Sequence, residues 1–120
     1  MKFFLETFFK GLFFFLTDKN FRFFFYLCIR YGNIKRYQFR KIIIEGNKFR
    51  LPDVKSFIWQ YYEIFLKYYN FESQVENPII IDCGANIGMS AFYFKKLYPK
   101  SSLYCFEADP KIFNFLKEKT

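Results

Sequence analysis

The sequence predicts an α/β protein, the first part of a Rossmann-like, doubly wound sheet that is left incomplete and is preceded by a helical and hairpin region. Three observations carry this expectation. PIIIDC at 78–83 is a short β-branched run followed at once by the glycine-bearing loop GANIG. A stretch with apolar residues at helical spacing follows, then a second short strand, SLYCF, closed by Glu107. The order strand, loop, helix, strand, helix is how such a sheet begins.

Taken in order, Phe3 to Leu16 reads as a helix whose apolar face carries Phe4, Leu5, Phe8, Phe9, Leu12, Phe15 and Leu16. Phe3, Phe13 and Phe14 spoil its polar side, so the excess apolar surface either packs on a second helix or lies in a lipid interface, with packing the favoured expectation. The second helix runs from about Phe21 to Tyr31, with Gly32 as its stop. Gln38 to Leu51 reads as a hairpin: FRKIII, a turn at Glu45, Gly46 and Asn47, then KFRL. Asp53 caps a helix from Val54 to about Tyr69, whose polar residues Ser56, Gln60, Glu63 and Lys67 form one narrow stripe, the rest being buried. Asn70 to Pro78 is a polar linker. These readings divide the chain into an aromatic and basic region at 1–52, a lead-in helix and linker at 53–78, and the start of a nucleotide-type domain at 79–120.

Within that last segment PIIIDC reads as a strand buried on both faces. Gly84 and Gly88 allow backbone conformations that a Cβ would forbid. The helix after them turns Ile87, Ala91, Phe94 and Tyr98 inward and ends before Pro99. Asp109 caps a final helix that opens at Pro110 with Ile112, Phe113 and Leu116 inward.

Composition excludes several chemistries. The 120 residues hold 19 basic and 11 acidic side chains, three cysteines and no histidine. A Ser-His-Asp triad, a Cys-His dyad and an H-E-x-x-H zinc site are therefore impossible here. Cys28, Cys83 and Cys105 are odd in number and lack any C-x-x-C pair, which fits buried thiols in a reducing compartment, and no metal site is expected. The longest stretch without a charge, Cys83 to Phe94, is too short to cross a bilayer, and Glu6 and Lys10 interrupt what would be the apolar part of a secretory signal. A cytoplasmic protein is expected.

Charge is uneven. Residues 1–60 hold 12 basic and 4 acidic side chains, whereas residues 61–120 hold 7 of each. The basic, aromatic stretch from Lys19 to Arg50 could be a solvated face, or could meet anionic lipid headgroups or an acidic partner. A nucleic acid is not expected. A membrane-surface or partner-binding module without catalysis is accordingly the alternative to an enzyme.

A glycine loop leaving the first strand admits a ligand to the carboxyl edge of the sheet, and an acid ending the second strand can accept hydrogen bonds from both hydroxyls of a ribose. Glu107 lies 19 residues beyond Gly88, close to the spacing of about 20 that this role needs. The loop is G-x-N-x-G and not G-x-G-x-x-G, which makes NAD the less favoured adenosine ligand, and an NAD-binding Rossmann-like enzyme a further alternative.

At these residues the chain resembles the class I S-adenosylmethionine-dependent methyltransferases, specifically the FkbM-type family. IIIDCGANIGMSAFYF followed by LYCFEADP is similar to that family's opening, from Ile79 to Leu116, and LPD…YYEIF is similar to its lead-in. The resemblance implies that Asp82, Cys83, Gly84, Ala85, Asn86 and Gly88 line the methionine end of S-adenosylmethionine, that Glu107 binds the ribose and that Ala108 lies beside the adenine. It also implies O-methylation of a saccharide, lipid-linked glycan or other secondary metabolite, with the inner membrane surface, where lipid-linked glycans are assembled, as a candidate place of action. Such a domain has about seven strands and this sequence supplies two, so the expectation is a truncated, inactive fragment whose catalytic residues lie beyond Thr120.

Overall fold

A computed structural model of the chain describes residues 2–67 and 72–118. The last residues of the expected lead-in helix and the first of the linker, 68–71, lie outside the described residues. The chain forms two compact units, Met1–Asn33 and Ile34–Thr120.

The first unit is a pair of helices, α1 (Lys2–Thr17) and α2 (Lys19–Tyr31). Asp18 joins them. Its extended backbone stops α1, and its Oδ1 accepts the N–H groups of Asn20 and Phe21 at 2.7 and 3.2 Å, so α2 starts two residues before the expected Phe21. Arg22 reaches back to donate to the carbonyls of Phe15 and Leu16 at 3.2 and 3.0 Å, satisfying acceptors that the last turn of α1 leaves open. Ring pairs Phe15–Phe25 and Phe14–Phe21 hold the helices together. Packing covers only part of the apolar surface, however: Leu5, Phe8, Phe9, Phe13 and Leu16 stay exposed. Gly32 does not stop α2 through the left-handed conformation. It is right-handed, at φ −59°, and a Cβ there would collide with the Cys28 carbonyl oxygen that accepts its N–H.

The second unit begins with an antiparallel hairpin, β1 (Arg40–Ile44) and β2 (Asn47–Leu51), in register from Arg40↔Leu51 to Ile44↔Asn47. Glu45 and Gly46, at φ 47° and 80°, make the two-residue left-handed turn that suits the twist of a hairpin. Asn47 therefore belongs to the strand. Alternation buries Ile42, Ile44, Phe49 and Leu51 on one face. Helix α3 (Val54–Tyr62) packs there through Val54, Phe57, Ile58 and Tyr61, and continues as a π-helical turn at Glu63–Lys67, which a reading of 3.6-residue periodicity does not foresee. Trp59 stays exposed. The Phe57, Phe49, Phe92 and Phe65 rings, 5.6 to 6.4 Å apart in successive pairs, join hairpin, helix and the next layer.

That layer is a parallel pair, β3 (Ile79–Cys83) and β4 (Ser102–Phe106), connected by α4 (Met89–Leu97), with α5 (Pro110–Lys117) after it. The predicted elements are all present. Burial on both faces is not: Ile79 and Ile81 are 73% and 65% exposed, and Tyr104 and Phe106 extend the same open face. The β-branched run has the composition of a fully covered strand, but that covering needs a second layer of helices. Among the described residues α4 contacts β4 and no helix covers the other side.

Candidate functional site

At the carboxyl end of β3 the chain turns through Gly84, Asn86 and Gly88, with φ of 93°, 50° and 85°. These left-handed positions alternate with Ala85 and Ile87, whose side chains are buried and anchor the loop. Asparagine is the non-glycine residue that enters this conformation most readily, and the Asn86 side-chain oxygen accepts the Ile87 N–H at 2.9 Å. An added Cβ at Gly84 would meet nothing within 4 Å. Its glycine is thus required by backbone conformation, and the space above it is open to a ligand.

Two bonds tie this loop to the end of β4. The amides of Gly84 and Ala85 both donate to the Phe106 carbonyl, at 2.8 and 2.9 Å. One residue on, Glu107 Oε2 accepts the Asn86 N–H at 2.9 Å, and Oε1 accepts the Asp109 N–H at 2.9 Å. The glycine loop and the terminal acid therefore share one rim of the sheet. A carboxylate has about four lone-pair sites, so Glu107 can hold both amides and still accept from two hydroxyls.

The remaining expected site residues are placed as follows. Asp82, half-buried on the helix side of β3, accepts the Ser90 hydroxyl at 2.5 Å. Cys83 alternates to the open face, and Ala85 points inward, so these two offer the rim backbone only. Gly88 caps α4 with no side-chain bond to the first turn. Ala108 is exposed beside Glu107, and Asp109 caps α5 through the N–H groups of Lys111 and Ile112. Burial raises the Cys105 thiol's pKa, and the Asp82 charge adds to this; burial alone raises that of Cys28. Both thiols are weak nucleophiles as a result.

Sequence reasoning missed two contributors. Ser90, buried in the first turn of α4, fixes Asp82; its place eight residues after the acid, on the helix face turned to the strand, is the signal that could have found it. The other is the environment of Asp53. Arg36 Nε donates to Asp53 Oδ2 at 2.6 Å, Ser56 Oγ donates to the same oxygen at 2.9 Å, and the Lys55 N–H donates to Oδ1. Burial alone would raise this carboxyl's pKa, but hydrogen bonds from Ser56, Arg36 and Lys55, with the Arg36 charge, bring it below its ordinary value. Asp53, Ser56 and Gln60 border a cavity of about 140 Å³ that Asn86 and Ile87 also line. It is smaller than a cofactor-sized pocket of roughly 300 Å³ or more.

Comparison with known proteins gives three partial likenesses, all to methyltransferases. The chain is 39% identical over 57 residues to Methyltransferase sdnD of Sordaria araneosa, covering 47% of this chain and 22% of that protein. It is 40% identical over 53 residues to Methyltransferase 1 of Beauveria bassiana, covering 43% and 21%. It is 49% identical over 35 residues to the 2-O-methyltransferase NoeI of Sinorhizobium fredii, covering 29% and 14%. The chain thus spans about a fifth of the length of the first two. No family model matches, and no solved structure matches. The likenesses support a methyltransferase; they do not single out one family of them.

Proposed function

We propose that this chain carries the first part of the cofactor site of an S-adenosylmethionine-dependent methyltransferase of the FkbM type, acting on an oxygen of a saccharide or other secondary metabolite. The observation that carries the reading is the bond from the Asn86 N–H to Glu107, which puts the turn and the acid on one rim at the carboxyl edge of β3 and β4. The residues suit the cofactor: the turn has open space above Gly84, and Glu107 has acceptor capacity to spare. When bound, S-adenosylmethionine supplies a methyl group activated on a sulfonium. The backbone of 83–86 and Gly88 would hold its amino-acid end, Glu107 its ribose hydroxyls, and the surface at Ala108 its adenine. Asp82, held by Ser90, supports the turn from below. The partial likenesses to methyltransferases, one of them named as a 2-O-methyltransferase, support oxygen as the acceptor atom.

Equilibrium binding of radiolabelled S-adenosylmethionine tests the reading, with NAD as the competitor ligand. Replacing Glu107 by alanine removes charge-assisted bonds worth about 1.5–3 kcal/mol, so affinity should fall roughly ten- to a hundredfold. Affinity indifferent to that change, or tighter binding of NAD, rejects it. The outer edge of β3 is unpaired among the described residues, where the sheet would continue. The proposal therefore includes that the 120 residues alone bind without turning over, which methyl transfer by the purified chain would disprove.

A further inference from the structure

The methyltransferase reading leaves the helical unit without a role, and its surface is unusual for a solvated one. On α1, Leu5, Phe8, Phe9, Leu12 and Leu16 fall within an arc of about 100° and all are exposed, Phe9 and Leu16 to 61% and 67%. Glu6, Lys10 and Thr17 share the opposite stripe. Phe8, Leu12 and Phe15 of α1 and Phe21 and Phe25 of α2 border a groove of about 350 Å³ that is almost wholly apolar. On α2 the exposed side mixes Phe25, Tyr26 and Ile29 with Lys19, Arg22 and Arg30. A soluble surface rarely leaves such a patch uncovered.

We propose that this helix pair lies in the interface of an anionic phospholipid bilayer, parallel to its plane. Charge selects this occupant. The unit carries Lys2, Lys10, Lys19, Arg22 and Arg30 against Glu6 and Asp18, a net +3. Long basic side chains beside aromatic rings can extend to headgroup phosphates while the rings enter the acyl boundary. Length selects the orientation. At 1.5 Å per residue, the 16 residues of α1 span about 24 Å, short of the roughly 30 Å hydrocarbon core, and no helix among the described residues is long and apolar enough to cross a membrane. A second copy of the chain would meet the same net positive charge and is disfavoured as the cover. This inference is independent of the cofactor reading.

The test is partition of the chain into vesicles of phosphatidylcholine with 30% phosphatidylserine, and of phosphatidylcholine alone, followed by sedimentation. The expected result is stronger binding to the anionic vesicles that weakens with salt. Phe9→Ser with Leu16→Ser, both at exposed positions, should lower partition to both vesicle types by at least about tenfold with circular dichroism unchanged. Arg30→Ala, on the exposed side of α2 beside Tyr26 and Ile29, should lower it about fivefold on anionic vesicles only. In a Trp59→Phe background, Phe9→Trp, on the apolar arc, should shift its emission to the blue and be quenched by brominated lipid. Partition that ignores the double serine change, or a dimer abolished by that change in a chain that binds no vesicle, would overturn the proposal; the latter would make a second copy the occupant.

Discussion

Asp53 shows how much one side chain can decide. It caps α3, accepts from Arg36 and Ser56, and lines the small cavity that Asn86 also borders. Because its folded pKa lies below its unfolded one, the stability it contributes is fully present above the unfolded value, about 3.9, and is lost as pH falls through the lower folded value. Acid titration of unfolding should therefore show a loss beginning near pH 4. Asp53→Asn keeps a capping oxygen but loses the charge, and should cost about 1–2 kcal/mol at pH 7 in a urea melt while flattening that acid limb. An unchanged limb would mean that other carboxylates carry it. Arg36 is half exposed, so its charge contributes only part of this effect. The sequence revealed the cap because Asp after Pro before an apolar run is local chemistry. It did not reveal Arg36, seventeen residues away, because only tertiary packing brings the two together.

Whole elements were legible where one local rule dominates. The hairpin, the glycine turn and the caps at Asp53 and Asp109 all follow from residues adjacent in sequence. The candidate rim was legible for a related reason, since a parallel strand pair brings the end of each strand to the same edge whatever the packing around it. Facing was less legible. The run IIIDC has the composition of a doubly covered strand, yet covering depends on a second layer that strand composition cannot supply, and Ile79, Ile81, Tyr104 and Phe106 lie open. The open side makes a definite prediction. Ile81 and Tyr104 are register partners, so Ile81→Lys with Tyr104→Glu places opposite charges side by side. The pair should leave stability within about 0.5 kcal/mol while reducing binding of an apolar dye and light scattering at high concentration. A large loss of stability would show that the face is covered in solution.

At the scale of the whole molecule, apolar residues do not predict where the core lies. The first 33 residues are rich in phenylalanine, yet among the described residues only Leu27 there is a buried apolar residue, while thirteen others, from Ile42 to Leu116, are buried in the second unit. A helix held mainly by its own backbone bonds and a few ring contacts opens at low cost, because isolated helices of this length are marginal in water. Strands and helices that share a buried cluster open only with that cluster. Hydrogen exchange read by mass spectrometry should accordingly separate the two units. Amides of α1 should exchange orders of magnitude faster than those of β1, β2 and α3 around Phe49 and Phe57. Anionic vesicles should slow exchange in α1 and α2 while leaving the second unit unchanged, because ordering at an interface stabilises only what enters it. Slow exchange throughout α1 in plain buffer would mean that a cover is already in place in solution, and the bilayer would lose its claim to that face.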